Sequence, residues 1–235
     1  MSHPPNKVTA VELLFVRHAQ PAWARDGRSV DNPGLTDLGH AQGKLVGERF
    51  HGASVDALIV SPLVRAQETA AYIADALQME PTTLDWLAEI RSPVWNDEPV
   101  EVVEQIFADV RRRPVDDHWE GIPGGESFRD FHVRVTTGLQ QYLDGVGGER
   151  VNDQPALWHL DEPARRVVVV AHAGTNATAL SYLLGIEPVP WEWERFVSFH
   201  ASVSEIVPVD ISEEHAFSLL RFADVSHLPP DHQTR

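Results

Sequence analysis

Two short stretches, Leu13-Leu14-Phe15-Val16 and Val167-Val168-Val169-Val170, are apolar at every position. A strand with one wet face alternates apolar and polar residues, so a run without alternation must be covered on both sides. Both runs have strand length and are rich in residues that pack well on a pleated surface. They require a sheet enclosed by helices, and the surrounding sequence supplies those helices. Thr36 caps one predicted over about 36–50, with Asp37 in its first turn. A short apolar strand at 57–60 is followed by Ser61 as a helix cap, with Pro62 at the first helical position, and that helix runs to about residue 77. Ser127, with Asp130 three residues on, opens a helix that ends near Gly145. A helix over 175–184 is closed by Gly185, and 203–209 and 216–222 read as two late strands. The segment 147–163 reads as a polar loop. Strands alternating with helices give an α/β fold, a three-layer sandwich with a mostly parallel central sheet and helices on both faces.

The middle of the chain departs from this pattern. Between Trp86 and Gly125 lie prolines, tryptophans and many acids, with one helix predicted over about 99–113. A long irregular insertion of this kind is commonly a lid or binding loop. The whole reads as one domain over 10–228, with a lid insertion at about 86–125 and flexible termini at 1–9 and 229–235.

Charge and composition narrow the function. The chain has 35 acidic and 19 basic residues, a formal net charge of −16, and no cysteine. Disulfides, thiolate metal sites and a cysteine nucleophile are therefore excluded. A surface this acidic does not suit nucleic acid or an anionic membrane. The one basic run, Arg111-Arg112-Arg113, reads as the cationic end of a helix. No export signal and no membrane-length apolar stretch is seen, and the expected location is the cytoplasm.

In open α/β sheets, ligands bind beyond the carboxyl ends of the strands. The first strand runs straight into Arg17-His18-Ala19, and the strand over 57–60 ends at Ser61, with Arg65 one turn into the following helix. The strongest strand runs into His172-Ala173-Gly174. Two histidines and two arginines thus emerge together beside small residues. The helix opening near Thr175 adds backbone N–H groups that favour an anion. Two arginines meeting in an acidic protein need an anionic partner, either an internal carboxylate or a substrate phosphate held in bidentate fashion.

These residues stand in an order that resembles the histidine phosphatase superfamily, the phosphoglycerate-mutase-like proteins. Arg17-His18-Ala19 is similar to the family's Arg-His-Gly signature. Leu35-Thr36-Asp37-Leu38-Gly39-His40-Ala41-Gln42, the Ser61 to Ala70 helix with Arg65, Leu87-Ala88-Glu89, Pro123-Gly124-Gly125-Glu126-Ser127 and Val168 to Gly174 resemble its later segments. The resemblance implies a phosphomonoester hydrolase in which His18 is the nucleophile and forms a phosphohistidine. It implies that Arg17, Arg65 and His172 hold the phosphate, with Gln20 and Ala173 at the substrate, and that Glu89 protonates the leaving alkoxide and then activates water. No metal and no cofactor is implied, and the expected partner is a small phosphorylated metabolite. The late strands could provide an edge for pairing two copies as a homodimer, and the sequence leaves the oligomeric state open.

Some positions depart from the family pattern. Ala19 replaces the glycine, Pro21 the usual hydroxyl residue and Ala24 an asparagine. Glu89-Ile90-Arg91-Ser92-Pro93 lacks the mutase-type Glu-Arg-His-Tyr-Gly stretch, and the insertion is acidic, which favours hydrolysis. Arg111 to Arg113 keep a phosphoglycerate-mutase-type transferase open. A non-catalytic phosphate-binding protein is a further alternative. A metal hydrolase lacks the paired-histidine spacing it needs, and His200 and His227 are expected in solvent or hydrogen-bonded near the site. Trp23, Trp86, Trp95 and Trp119 either stack on the substrate or pack the lid onto the core.

Overall fold

A computed structural model describes residues 11–151, 154, 156–161 and 165–235. The expectation for 1–9 lies outside the described residues, as does part of 147–163. In chain order the strands are β1 (Glu12–Arg17), β2 (Ala24–Arg25), β3 (Arg28–Ser29), β4 (Ala57–Val60), β5 (Thr82–Thr83), β6 (Gly148–Arg150), β7 (Leu157–Leu160), β8 (Arg166–Ala171), β9 (Val203–Ile211) and β10 (Glu214–Asp224). The helices are α1 (Asp37–Arg49), α2 (Val64–Leu77), α3 (Val100–Arg111), α4 (Phe128–Asp144), α5 (Ala173–Leu183) and the short α6 (Glu192–Arg195). No helix among the described residues is long and apolar enough to cross a membrane.

Eight strands form one sheet in the order β5-β4-β8-β1-β9-β10-β7-β6. The two apolar runs lie side by side at its centre, as parallel neighbours. Alternate residues of each serve opposite faces. Leu13, Phe15, Val167 and Val169 pack with Phe131 and Leu139 of α4 and Leu180 of α5, whereas Leu14, Val16, Val168 and Val170 pack with Val46 of α1 and Ala70 and Ile73 of α2. Each such fully buried side chain contributes about 1.5–3 kcal/mol. This is the three-layer sandwich that unalternating strands demand.

The sheet is mixed rather than mostly parallel. The pairs β5–β4, β4–β8 and β8–β1 are parallel, while β9, β10, β7 and β6 add on antiparallel. The segment read as a polar loop contributes the β6–β7 ribbon, in which Trp158 is fully buried. The α1 cap is as expected, with the Thr36 hydroxyl accepting from Gly39 N–H at 2.9 Å. Ser127 likewise caps α4 through Asp130 N–H. Ser61 does not cap α2, which starts after Leu63. Its hydroxyl lies 2.7 Å from His172 Nε2 instead.

The insertion is irregular from residue 88 to 99, with a turn at Asn96–Asp97, then carries α3 and a six-residue 3₁₀ turn at Val115–Glu120. It leans on the β2–β3 ribbon, where Val100 N–H donates to Gly27 O. The chain end, expected to be flexible, is pinned. Gln42 Nε2 donates to His232 O at 2.7 Å and Thr234 Oγ1 at 3.0 Å, and Arg235 lies over the Phe199 ring.

Candidate active site

Parallel pairing of β1 with β8 matches Arg17 to Ala171, so the residue after each strand emerges beside the other. The His18 and His172 rings lie 5.0 Å apart, and both are almost wholly buried. His18 Nδ1 is 2.7 Å from Ala19 O. A carbonyl only accepts, so this bond assigns the proton to Nδ1 and leaves the lone pair on Nε2. Arg65 Nε–H donates to that Nε2 at 3.3 Å. Burial first, then the neighbouring His172 ring and the positive charge of Arg65 and Arg17, holds the His18 imidazole well below its ordinary pKa. It is a neutral base with its lone pair aimed at a guanidinium.

Arg65 sits in the first turn of α2 and is 3% exposed. Thr69 donates to Arg65 O at 2.7 Å and accepts from Ala19 N–H at 3.0 Å, which fixes the helix start against the loop after β1. Arg17 donates through Nη1 to Ser198 O at 2.6 Å and through Nη2 to His200 Nε2 at 3.1 Å. His200 Nδ1 lies 2.9 Å from Thr234 Oγ1 of the pinned tail. Burial lowers both guanidinium pKa values to about 10, against the opposing charge of Glu89. Both therefore stay charged at neutral pH. Three N–H groups of the cluster, Arg17 Nε, Arg65 Nη1 and His172 Nδ1, are buried without an acceptor among the described residues. The Ser61 hydroxyl can donate to His172 Nε2, and in that arrangement the proton of that ring sits on Nδ1. Each buried orphan costs about 1–3 kcal/mol. Folding tolerates them together only where something else selects for them, and an oxyanion with three free oxygens would satisfy all three.

Glu89 completes the cluster. Its Oε2 accepts from Gly174 N–H at 2.9 Å, and its Oε1 accepts from Ile90 N–H at 3.1 Å and the Thr175 hydroxyl at 3.4 Å. A Cβ at position 174 would lie 2.6 Å from Glu89 Oε1, so only glycine admits the carboxylate here. The first turn of α5 therefore does receive an anion, as expected of a helix start, but the Gly174 N–H goes to Glu89. Ala173, the first residue of α5, lines a small cleft with Arg17. Gln20 is held toward α1: its Oε1 accepts from Thr36 and its N–H donates to Gln42. Trp23 lies against Arg65, with the guanidinium carbon 4.6 Å from the ring centre, and is 48% exposed. Trp86, Trp95 and Trp119 pack instead on Gly138, Phe107 and Arg129.

Sequence reasoning missed Arg134. It donates Nε and Nη2 to the two Glu126 oxygens at 2.9 and 2.7 Å, and Nη1 to the carbonyls of Trp86 and Ala88. Its Nη2 also reaches Glu89 O at 3.4 Å. One guanidinium thus fixes the backbone that presents Glu89. Arg134→Met removes one partner of a largely buried ion pair and is expected to cost about 3 kcal/mol. Displacing the carboxylate should lower kcat by roughly 10- to 100-fold with KM nearly kept. Thermal unfolding and steady-state kinetics on the variant check both; an unchanged kcat would remove Arg134 from any role in positioning Glu89.

The buried imidazoles also make stability depend on pH. Burial holds His18 and His172 well below their ordinary pKa and pushes His200 down to about 3, with Arg17 adding to the shift at His200. In the unfolded chain each takes up a proton near pH 6.5. As pH falls through that value the unfolded state binds more protons, so stability falls by up to about 1.4 kcal/mol per pH unit for each ring. Urea midpoints between about pH 7.5 and 5 should decline steadily on acidification; a flat or rising profile contradicts neutral burial of the three rings.

Known proteins resemble this chain. The family model for the histidine phosphatase superfamily, branch 1, matches residues 13–222. Phosphoserine phosphatase 1 of Hydrogenobacter thermophilus is 31% identical over 180 residues, 75% of this chain and 78% of its own. The probable phosphoglycerate mutase GpmB of Salmonella choleraesuis is 31% identical over 226 residues, covering 93% of this chain and 95% of its own. Among solved structures, a mycobacterial glucosyl-3-phosphoglycerate phosphatase superposes with a TM-score of 0.67 at 22% identity, covering 90% of this chain and 98% of that one, which shows a shared fold.

Proposed function

The chain belongs to the histidine phosphatase superfamily, branch 1, and on that premise we propose that it hydrolyses a phosphomonoester through a phosphohistidine on His18. One observation carries the reading: the three acceptorless N–H groups of Arg17, Arg65 and His172 around a neutral His18 Nε2. A phosphoryl group bound there takes one oxygen to each donor. The Nε2 lone pair then attacks phosphorus in line with the ester oxygen. The N–P bond forms as the P–O bond breaks, and protonated Glu89 gives its proton to the departing alkoxide. In the second half, the Glu89 carboxylate takes a proton from water, the resulting hydroxide attacks phosphorus, and the bond to His18 breaks to release inorganic phosphate. Glu89 ends protonated and ready for the next cycle. General acid–base help of this kind is worth about 10² to 10⁴ in rate, and charge stabilisation by the guanidiniums supplies most of the remainder.

Arg17 and Arg65 provide the positive charge that a metal would otherwise bring, and metal-independent turnover is part of the proposal. The assay is hydrolysis of phenyl phosphate between about pH 5 and 8 with and without excess chelator. Turnover indifferent to chelator supports the reading, and turnover abolished by it contradicts the charge assignment. Arg111, at the end of α3, lines the cavity next to Glu89 and favours a second reading, in which the phosphoryl group returns to a second hydroxyl. Release of inorganic phosphate in proportion to alcohol distinguishes hydrolysis from that transfer.

A further inference from the structure

A cavity of about 360 Å³ opens beside Glu89, between the insertion and α6. A water's share of liquid volume is about 30 Å³, so the cavity holds a body of roughly ten heavy atoms, within the usual range of ligand sites. The chain runs from Glu89 straight into the lining residues Ile90 and Arg91, and a side chain added at Gly174 would meet both Glu89 and Trp193, another lining residue. The cavity therefore lies beside Glu89, the residue assigned above to protonate the leaving group.

The lining is mostly apolar: Phe107, Val110, Ile122, Phe128, Trp191 and Trp193. Phe107 and Val110 belong to α3, a strongly amphipathic helix in which no residue is buried. Its apolar face has this cavity in front of it where a globular helix would have core. Phe128 and Trp193 already stack at 4.9 Å, as do His118 and Trp191 edge to face at 6.0 Å, so the aromatic walls are preformed. Two arginines share the lining. Arg112 pairs with Asp109 and Arg134 with Glu126, but Arg91 and Arg111 form no ion pair among the described residues. Of the acids in the lining, Glu126 is neutralised by Arg134, which leaves one exposed carboxylate, Glu194, against two free guanidiniums.

We propose that this cavity receives the alcohol part of the substrate, and that this part is a bulky, largely aromatic or alicyclic body bearing a carboxylate that Arg91 and Arg111 hold. The proposal rests on the phosphatase reading above for the placement of the phosphoryl group. The substrate is then larger and more apolar than a three-carbon phospho-acid, whose body would leave most of the cavity unfilled. Inserting apolar surface between preformed aromatic walls carries the affinity, and the two arginines set orientation.

Three esters with similar leaving groups test this: phenyl phosphate, 2-naphthyl phosphate and 6-carboxy-2-naphthyl phosphate. Wild type should show kcat/KM rising at each step, by at least about tenfold from phenyl to naphthyl. Ile122→Trp and Val110→Phe, which fill the cavity from two positions, should each collapse the naphthyl-to-phenyl ratio toward one. Arg91→Met with Arg111→Met should erase the gain from the carboxylate while keeping the naphthyl preference. The same esters are titrated onto His18→Ala by calorimetry, so that preference is read without turnover. Phenyl phosphate turned over or bound as well as the naphthyl esters overturns the apolar body. A carboxylate gain that survives loss of both arginines overturns their role. If no ester is turned over but the binding order holds, the phosphatase reading fails and the cavity assignment stands.

Discussion

Replacing His18 by alanine is expected to lower kcat for phenyl phosphate by at least about 10⁴-fold, the scale seen when a covalent nucleophile is removed. The expectation rests on the tautomer. Ala19 O fixes the proton on Nδ1, and burial beside two guanidiniums keeps the ring neutral, so Nε2 keeps its lone pair, facing Arg65 Nε–H at 3.3 Å. No other group in the cluster can substitute. His172 Nε2 is engaged with Ser61, and His200 Nε2 accepts from Arg17. Phosphate affinity should survive in His18→Ala, because Arg17, Arg65 and His172 keep their free donors. Loss of turnover with binding retained identifies a nucleophile. Activity within about tenfold of wild type would leave His18 as a mere lining residue.

Arg65→Met is expected to cost about 10³-fold in kcat/KM, in the range of an arginine that stabilises a transferring phosphoryl group. Arg65 is 3% exposed, carries an orphaned Nη1, and donates to His18 Nε2 through Nε. Arg65→Lys should recover little, since a point charge cannot span Nε2 and a phosphate oxygen together. Stability should move the other way. Burial lowers the Arg65 pKa to about 10, so keeping this cation charged at neutral pH destabilises the folded state, and a methionine of similar length should raise Tm. A variant both slower and less stable would mean that Arg65 serves the fold rather than the phosphate. The trade of stability for function is the common pattern at catalytic sites.

Much of this site was legible because its parts lie at the ends of the two least ambiguous strands. His18 and His172 each come directly after an unalternating apolar run, and parallel pairing of two such runs brings the residues at their carboxyl ends together. Arg65 was legible from its place one turn into a helix. Glu89 was not: it sits in irregular chain, and only the resemblance singled it out. Arg134 was invisible because it works through backbone carbonyls, which leave no residue pattern, and its ion-pair partner Glu126 lies in a turn outside its own helix. Trp191 and Trp193 were missed because the rings they meet, His118 and Phe128, lie far earlier in the chain, and short-range periodicity cannot report such a meeting. The mixed sheet left little signal: buried and half-buried residues alternate over 204–209, but apolar residues stand in both sets, so the sequence does not show the wetter face of an antiparallel strand. The pinned tail had none, since its order comes from Gln42 and His200, far away in sequence.

Trapping the covalent intermediate tests this chemistry most directly. Wild-type protein turning over an aryl phosphate is quenched in alkali, where phosphohistidine persists, and its peptides are weighed. The expected result is one added phosphoryl group on the peptide containing His18, absent from His18→Ala and more abundant in Glu89→Gln, where water is no longer activated. Phosphoryl transfer to another residue, or sustained hydrolysis with no labelled peptide in either wild type or Glu89→Gln, would contradict it.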